Sequence, residues 1–311
     1  MPFEIKIIKT EQYPVFILKD TSNNSEVEIY AFGGIVNAFK INIDNEILNV
    51  IDGFENVLDA VTNISKGFKS AKLSPFVCRM NKGEYSFNKI DYKIEKFYLQ
   101  QHAIHGIIYD VTFTMVENKT DESKAELILQ HIYEGTDIGY PFNYTTTITY
   151  ILTSENKLNI TTTVQHNNDF EIPYADGWHP YFTLGNSIDE CNLQFDSTQM
   201  IEFNETLLPT GNTIVDETFV EGKLMKAIFL DNCFAMKSSG KCVLKNDKLQ
   251  LVIEADENYP YLQIYTPDHR QSIALENLSA VPDCFNNYMG LLLLQPNKAY
   301  TFTTSYQVKN I

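Results

Sequence analysis

Residues 144–165, YTTTITYILTSENKLNITTTVQ, form the clearest strand–turn–strand pattern in the chain. Threonines alternate with Ile, Tyr, Leu and Val on both sides of a polar turn at residues 154–157. This alternation predicts a β-hairpin with one packed face and one solvated face. It also indicates the kind of structure that we expect for the rest of the chain.

Similar short strand patterns recur from the first residues to the last. Strands or hairpins are predicted at residues 3–9, 15–18, 26–40, 84–94, 107–117, 125–133, 242–245, 248–255, 259–265, 290–294 and 299–308. A weak helical pattern occurs at residues 52–65. Gly33 and Gly34 interrupt residues 26–40, which predicts a β-bulge or a close approach of two backbones. We therefore predict one all-β antiparallel domain over residues 1–311, either a sandwich or a barrel.

The net charge and the arginine count argue against several classes of partner. The chain has 24 basic and 40 acidic residues, a formal net charge of −16. We therefore expect no nucleic-acid partner and no binding to anionic membranes. The two arginines, Arg79 and Arg270, are few for a protein that grips phosphates, because the guanidinium fork matches phosphate oxygens. A phosphorylated substrate is disfavoured for this reason.

Cysteine spacing and the N-terminal sequence bear on the location of the protein. The five cysteines are widely spaced and form no Cys-x-x-Cys pair, which argues against zinc and thioredoxin-like sites and predicts buried free thiols. Residues 1–20 lack the continuous apolar run of a signal peptide, and no stretch reaches the length of a membrane span. We expect a soluble cytoplasmic protein.

His179 is the first candidate for chemistry, in the stretch DGWHPYFTL at residues 176–184. Pro180 disfavours helical backbone at His179, so that the histidine is expected in a strand or a turn. Trp178 and Tyr181 lie close to this titratable imidazole in sequence. Each ring is a candidate pocket wall, and the alternative is that strand alternation turns it into the core. Proton transfer to a sugar-like ligand and an ordinary structural role both fit His179 at this stage.

Glu276 is the second candidate. It follows the apolar residues 272–275. A glutamate that ends an apolar strand is partly desolvated, which raises its pKa toward the range useful to a general base. An exposed strand end is the alternative reading of the same pattern.

Arg79, Asp231 and two histidines complete the set. Arg79 follows an apolar run and is expected to have a carboxylate or ligand partner, with a structural salt bridge as the alternative. Asp231 lies at a strand end, where a turn is the common role. His102 and His105 are three residues apart, which suits a metal on a helix, but their surroundings are strand-like. We predict no metal site, and at most one of the two side chains in any pocket.

Motifs of several other enzyme classes are absent from the sequence. It has no Gly-x-Ser-x-Gly elbow, P-loop or dinucleotide fingerprint. The remaining His, Glu, Asp and Arg side chains fit proton transfer on a polyhydroxylated substrate. No cofactor is expected.

Taken together, these stretches resemble the aldose 1-epimerase (galactose mutarotase-like) family, in order along nearly the whole chain. The resemblance rests on RMNKGEY at 79–85, AIHG at 103–106, GWHPYF at 177–182, DNCF at 231–234 and LENLSAVPDCFN at 275–286. Each motif is weakly specific, whereas five in the right order are strong.

The resemblance implies a single large antiparallel β-sandwich, the galactose mutarotase-like supersandwich. It also implies a cofactor-independent isomerase that interconverts the α and β anomers of a free hexose. Carried over to this sequence, Glu276 is the base for the C1 hydroxyl and His179 is the acid for the ring oxygen, placed opposite each other across the ring. His105 polarises the same region, while Arg79 and Asp231 hold sugar hydroxyls. We expect a small sugar as the partner, and a monomer or a homodimer.

Two departures from the family pattern leave the substrate open. Residues 104–107 read IHGI where the family often has LHGG, and Pro180 stands where well-characterised galactose mutarotases have serine. Both features are typical of a broader branch, so that galactose is not implied. A hexose-6-phosphate mutarotase and a non-catalytic carbohydrate-binding module remain alternatives. A glycosidase with Asp231 and Glu276 as its paired carboxylates gives His179 no clear task.

Overall fold

The computed structural model describes residues 1–10, 12–237 and 240–311, which form mostly short strands. The first strands are β1 Phe3–Ile8, β2 Val15–Asp20, β3 Ser25–Tyr30, β4 Val36–Ile43, β5 Glu46–Asn49, β6 Ala71–Leu73, β7 Arg79–Met80, β8 Glu84–Phe87, β9 Ile90–Lys93, β10 Tyr98–Leu99, β11 His102–Ile104, β12 Thr114–Thr120, β13 Lys124–Tyr133, β14 Tyr144–Thr153 and β15 Lys157–Gln165. The remaining strands are β16 Ile172–Tyr174, β17 Gly177–His179, β18 Tyr181–Phe182, β19 Asn192–Phe195, β20 Gln199–Phe203, β21 Pro209–Val215, β22 Lys223–Leu224, β23 Asp231–Ala235, β24 Lys241–Lys245, β25 Leu249–Ala255, β26 Tyr261–Tyr265, β27 Ile273–Leu278, β28 Leu292–Leu294 and β29 Tyr300–Asn310.

Helical structure is sparse in the described residues. The α-helices are α1 Val57–Asn63 and α2 Cys284–Asn287, and 3₁₀ turns occupy Ile64–Lys66, Asn81–Gly83 and Ile188–Glu190. Asn56 caps α1, because its side chain accepts hydrogen bonds from the N–H groups of Leu58 and Asp59. Within the described ranges, no helix has the length and apolar character needed to span a bilayer.

Three large sheets contain most of the strands. Their strand orders are β1-β2-β3-β4-β5, β12-β13-β14-β15-β29-β25-β24-β19-β22 and β21-β20-β23-β26-β27-β17-β6, with β18 also paired to β27 in the last sheet. Three small sheets have the orders β10-β11-β7, β16-β28 and β8-β9. Neighbouring strands within these sheets run antiparallel.

The nine-stranded sheet packs on the other two large sheets. Phe182 of β18 meets Tyr306 of β29 with ring centroids 5.0 Å apart, and Phe195 of β19 meets Phe234 of β23 at 4.9 Å. At its other end, β13 and β14 pack on β2. This arrangement confirms the predicted antiparallel all-β sandwich, whereas one domain over residues 1–311 stays a prediction.

The hairpin at residues 144–165 has the predicted form. Strands β14 and β15 pair from Thr145↔Gln165 to Thr153↔Lys157. Three residues, 154–156, connect the strands, and Glu155 and Asn156 at the tip have left-handed φ values of 62° and 53°. Alternate residues of β14 are buried, so that one face packs and the other is partly exposed.

The predicted strand at residues 107–117 is partly wrong. Strand β12 begins only at Thr114. Ile107 and Tyr109 are buried, but the Ile107 N–H bonds to the carbonyl of Ser74 and not to a strand ladder. Apolar residues in this run therefore reflect a buried loop, which periodicity alone cannot separate from a strand.

The glycine pair between β3 and β4 serves both a turn and a close approach. Gly33 and Gly34 have φ values of 66° and 63°. A Cβ on Gly33 would lie 2.4 Å from the carbonyl oxygen of Tyr109. The predicted close backbone approach is confirmed at Gly33.

Candidate active site

One pocket on the eight-stranded sheet brings together the five residues that the family resemblance assigned to the reaction or to sugar binding. Its volume is about 450 Å³. Arg79, His105, His179, Asp231 and Glu276 all line it. The strands that carry His179, Asp231 and Glu276 are β17, β23 and β27 of the same sheet, which explains how residues far apart in sequence meet.

His179 ends the short strand β17. Its carbonyl accepts a hydrogen bond from the Ser70 N–H at 2.9 Å, and its ring stacks on Tyr181 with centroids 5.1 Å apart. Burial lowers the pKa of the imidazole to about 4. Nδ1 of His179 has no hydrogen-bond partner among the described residues.

Glu276 lies inside β27, and its side chain is 2% exposed. Its Oε1 atom is 3.4 Å from Nε2 of His179, and its Oε2 atom has no partner in the described part of the chain. Burial raises the pKa of the carboxyl well above its usual range; the charge of Asp231 raises it further, and that of Arg79 opposes the shift. A carboxyl with a free oxygen and a raised pKa is poised to exchange a proton with a ligand.

The two pKa shifts have the same cause. Burial penalises both the carboxylate and the imidazolium. Both shifts therefore favour the neutral forms, a Glu276 carboxylic acid beside a His179 imidazole. The sequence had led us to expect a carboxylate and an imidazolium that face each other across a sugar ring. Instead, the structure places the two side chains next to each other.

His105 forms a third wall of the pocket. It follows β11, has a φ of 63°, and donates its backbone N–H to the carbonyl of Cys78 at 2.9 Å. Its ring meets His179 edge-on at 4.9 Å and Phe68 at 4.6 Å. Burial, and then the neighbouring His179 and Arg79, lower the pKa of His105 well below its usual range. His105 is therefore a neutral hydrogen-bonding group at physiological pH.

The residue after His105 must be glycine. Gly106 has a φ of 77°, and a Cβ there would lie 2.2 Å from the carbonyl oxygen of Ser74. Both the left-handed backbone and the close contact exclude larger residues. Conformational freedom at Gly106 thus allows His105 to turn into the pocket.

Arg79 and Asp231 lie together nearer the mouth of the pocket. Nη2 of Arg79 is 3.9 Å from Oδ2 of Asp231, and both side chains are partly exposed. Burial raises the pKa of Asp231, while Arg79 and a hydrogen bond from Gln263 oppose the shift. The long contact leaves donors and acceptors of both groups available to a ligand.

Gln263 is a pocket residue that the sequence reasoning missed. It pairs directly with Glu276 in the β26–β27 register. Its Nε2 donates to Oδ1 of Asp231 at 2.8 Å, while its buried Oε1 has no partner among the described residues. Its place beside Glu276 depends on the β26–β27 register, which the sequence alone does not specify.

Two other residues singled out in the sequence lie outside the pocket. His102 is buried, and its Nδ1 accepts a hydrogen bond from the Lys82 N–H at 3.1 Å. Trp178 is 3% exposed, and Lys72 lies over its ring at 4.5 Å. Tyr181, by contrast, lines the pocket. In the ranges that the structure describes, no cluster of three or more His, Cys, Asp or Glu side chains has the arrangement of a metal site.

Comparison with known proteins identifies the family. Residues 15–307 match the aldose 1-epimerase family. The chain belongs to this family. The match confirms the resemblance seen in the sequence and supports an isomerase of the mutarotase type. A sugar is accordingly the kind of small molecule that the family match supports as a substrate.

Relatives of this aldose 1-epimerase family member are distant in sequence. The uncharacterized protein YihR of Escherichia coli (strain K12) is 25% identical over 239 residues, covering 73% of this chain and 75% of YihR. The aldose 1-epimerase of Streptococcus thermophilus is 24% identical over 213 residues, covering 65% of this chain and 59% of that enzyme. A galactose mutarotase-like protein from Clostridium acetobutylicum, of known crystal structure, superposes with a TM-score of 0.87 at 18% identity, over 100% of this chain and 99% of that one. This last likeness shows that the fold is shared.

Proposed function

We propose that this protein is an aldose 1-epimerase that interconverts the α and β anomers of a free hexose without a cofactor. The observation that carries the proposal is the 3.4 Å contact between Oε1 of Glu276 and Nε2 of His179 on the pocket wall. It joins a carboxyl of raised pKa to an imidazole of lowered pKa. Such a pair holds one acid and one base side by side.

The short separation matches the geometry of the reaction. The C1 hydroxyl oxygen and the ring oxygen of a pyranose are bonded to the same carbon, so that the groups acting on them must also be close. Glu276 and His179 are neighbours in this sense.

One proton shared by the pair is sufficient for the chemistry. In the free protein this proton resides on Glu276. Transfer to His179 gives a carboxylate and an imidazolium. Glu276 then takes the proton of the C1 hydroxyl, the bond between C1 and the ring oxygen breaks, and His179 protonates the departing oxygen.

Ring closure reverses these transfers. The open chain carries an aldehyde at C1 and rotates about the C1–C2 bond. The ring hydroxyl attacks the other face of the aldehyde as His179 takes back its proton and Glu276 returns its proton to the new C1 hydroxyl. No atom is gained or lost, so that the scheme needs no oxidant, metal or cofactor.

Other pocket residues are suited to hold the sugar. Neutral His105 offers an unpartnered Nδ1, and Gln263 offers an unpartnered Oε1, each a hydrogen-bonding atom for a hydroxyl group. Arg79 and Asp231 supply charged donors and acceptors nearer the mouth. The rings of Phe68 and Tyr181 line the same pocket and supply apolar surface for a sugar face.

A free hexose is favoured over a hexose 6-phosphate. Arg79 and Lys66 are the cationic side chains among the lining residues, and Arg79 lies beside Asp231. The guanidinium fork is the side-chain group that best matches a phosphate, and the one in this pocket already faces the Asp231 carboxylate. Phosphorylated sugars are therefore an alternative that experiment must compare directly.

Location and assembly belong to the same proposal. All five cysteines are buried and unpaired, as expected of a chain from a reducing compartment, and we place the protein in the cytoplasm. The net charge of −16 supports the absence of a nucleic-acid partner. The assembly is proposed to be a monomer or a homodimer.

Polarimetry tests the proposed function. Freshly dissolved α-anomers of several aldoses, with and without a 6-phosphate, are followed with and without the protein. The proposal predicts faster loss of optical rotation for at least one free hexose than in buffer alone. Faster rates only for the phosphorylated sugars would favour the hexose-6-phosphate alternative. Saturable binding without any acceleration would instead indicate a carbohydrate-binding module.

A further inference from the structure

A fully buried ion pair adjoins the strand that carries His179. Lys72 of β6 and Asp176, just before β17, both have side chains that are 0% exposed. Nζ of Lys72 donates to Oδ1 of Asp176 and also to the carbonyl of Gly177 at 3.0 Å. The same ammonium lies 4.5 Å from the ring centroid of Trp178. Lys72 thus contacts three successive residues immediately before His179.

Two tyrosine hydroxyls also donate hydrogen bonds to the Asp176 carboxylate. The hydroxyl of Tyr259 donates to Oδ1 of Asp176 at 2.6 Å, and that of Tyr174 donates to Oδ2 at 2.8 Å. Hydrogen bonds to an ionised carboxylate are stronger and more directional than neutral ones. Asp176 is therefore held in one orientation from both oxygens.

Backbone bonds connect Asp176 to the strand that carries Glu276. The Asp176 N–H donates to Oγ of Ser279 at 2.8 Å, and the Ser279 N–H donates to the carbonyl of Asp176 at 2.8 Å. Ser279 directly follows β27, three residues after Glu276. Asp176 lies three residues before His179. These two hydrogen bonds therefore join the start of β17 to the end of β27.

We propose that Lys72 and Asp176 are positioning residues that fix the separation of His179 and Glu276. Strand β17 pairs with β6 at Trp178↔Lys72 and with β27 at Gly177↔Leu278. The ion pair links β6 to the start of β17, and the hydrogen bonds between Asp176 and Ser279 link the start of β17 to the end of β27. This inference rests on the proposed function, because the separation matters only if Glu276 and His179 exchange protons with a ligand.

A role in stability alone does not account for the charges. Burying an ion pair removes two charges from water, and well-packed apolar residues of similar volume usually stabilise a core as well or better. What a buried network does supply is a set of directional bonds that specify one arrangement. A displacement of about 1 Å at a reacting group costs about a hundredfold in rate, so that such precision is useful at this place.

Replacement of the ammonium group is the first test. The Lys72→Met variant keeps much of the volume of the side chain and removes its three donors. We expect kcat for mutarotation to fall by about a hundredfold while KM changes little, because the pocket wall stays in place. The measurement is made well below the unfolding midpoint of the variant, which is recorded by circular dichroism.

A second, less disruptive variant tests the same role if Lys72→Met fails to fold. Tyr259→Phe removes one bond to Asp176 without a change of charge, and we expect a three- to tenfold loss in kcat, about the effect of one hydrogen bond. Tyr150→Phe is the matched control, because Tyr150 is equally buried and donates instead to the carbonyl of Gly34. The control should lose stability similarly and keep the kcat of the wild type.

The outcomes separate this inference from the proposed function. A wild type that does not accelerate mutarotation overturns the proposed function. Equal kcat values for the wild type, Tyr259→Phe and Tyr150→Phe overturn the positioning role while the proposed function stands. A loss of kcat in Tyr259→Phe that exceeds the loss in Tyr150→Phe, at equal stability, supports the positioning role.

Discussion

Oε1 of Glu276 and Nε2 of His179 lie 3.4 Å apart on neighbouring strands of one sheet. Both side chains are buried, and burial moves their pKa values in opposite directions. The contact therefore joins a carboxyl whose pKa is raised to an imidazole whose pKa is lowered. We argue that this one-proton pair is the catalytic unit.

Removal of either member of the pair should abolish catalysis with the fold intact. Glu276→Gln and His179→Asn each remove one positioned proton transfer, which typically contributes about 10² to 10⁴ in rate. We expect each variant to lose activity by at least the lower of these factors in a polarimetric assay. His102→Asn and Glu126→Gln are matched controls outside the pocket, and both should keep wild-type rates.

The pH dependence of kcat/KM should reflect the shifted pKa values. Below a pH of about 4, His179 gains a proton, and the pair then holds two protons and lacks a base. Above the raised pKa of Glu276, the pair holds no proton and lacks an acid. A bell-shaped profile with its acid limb near pH 4 is therefore expected, in which each apparent pKa belongs to the pair. An acid limb near the pKa of free histidine, about 6.5, would show that the imidazole is not desolvated as described.

Glu276→Gln should stabilise the fold increasingly as the pH rises. The Glu276 carboxyl has a raised pKa in the folded state and a pKa of about 4.3 when unfolded. Between these values the folded state binds more protons, so that the free energy of unfolding of the wild type falls as pH increases. The Glu276→Gln variant does not lose stability in this way. The free energy of unfolding of the variant minus that of the wild type should therefore rise by up to about 1.4 kcal/mol per pH unit.

Urea unfolding of both proteins at mildly acidic and mildly alkaline pH measures this difference. Glu126→Gln provides the control. Burial raises the pKa of Glu126, but Lys119 and Lys124 lower it more, so that its net shift is downward. Glu126 is therefore ionised in both the folded and the unfolded state over this pH range, and the stability of that variant relative to the wild type should not change with pH. Equal pH dependence for the wild type and Glu276→Gln would contradict the raised pKa of Glu276.

Gln263→Leu should weaken substrate binding more than chemistry. The change removes the hydrogen bond to Asp231 and the unpartnered Oε1 that lines the pocket. We expect KM to rise by roughly tenfold, the effect of about one hydrogen bond, with a smaller change in kcat. Initial rates over a range of sugar concentrations separate the two constants. Unchanged constants would mean that Gln263 does not contact the substrate.

The strands were the more predictable part of the fold. Alternation of threonine with apolar residues placed the hairpin at residues 144–165 correctly, because one face of that sheet is packed and the other is partly exposed. The same reasoning misassigned residues 107–113, whose apolar side chains are buried in a loop. Periodicity reports burial, and burial is not unique to strands.

Five of the residues that line the pocket were singled out from the sequence, but their geometry was not predictable. The sequence indicated His179 and Glu276 through their local contexts, but their side-by-side contact depends on the pairing of β17 with β27. Gln263 and Lys72 carry no motif of their own. Their places follow from strand register, which a single sequence does not specify.

Exchange spectroscopy by NMR tests the catalytic pair most directly. The exchange rate between the α and β anomeric protons of a free hexose is measured at equilibrium, with wild type and with Glu276→Gln at the same concentration. The account predicts enhanced exchange with the wild type and the buffer rate with the variant. Enhanced exchange in Glu276→Gln equal to that of the wild type would contradict the account.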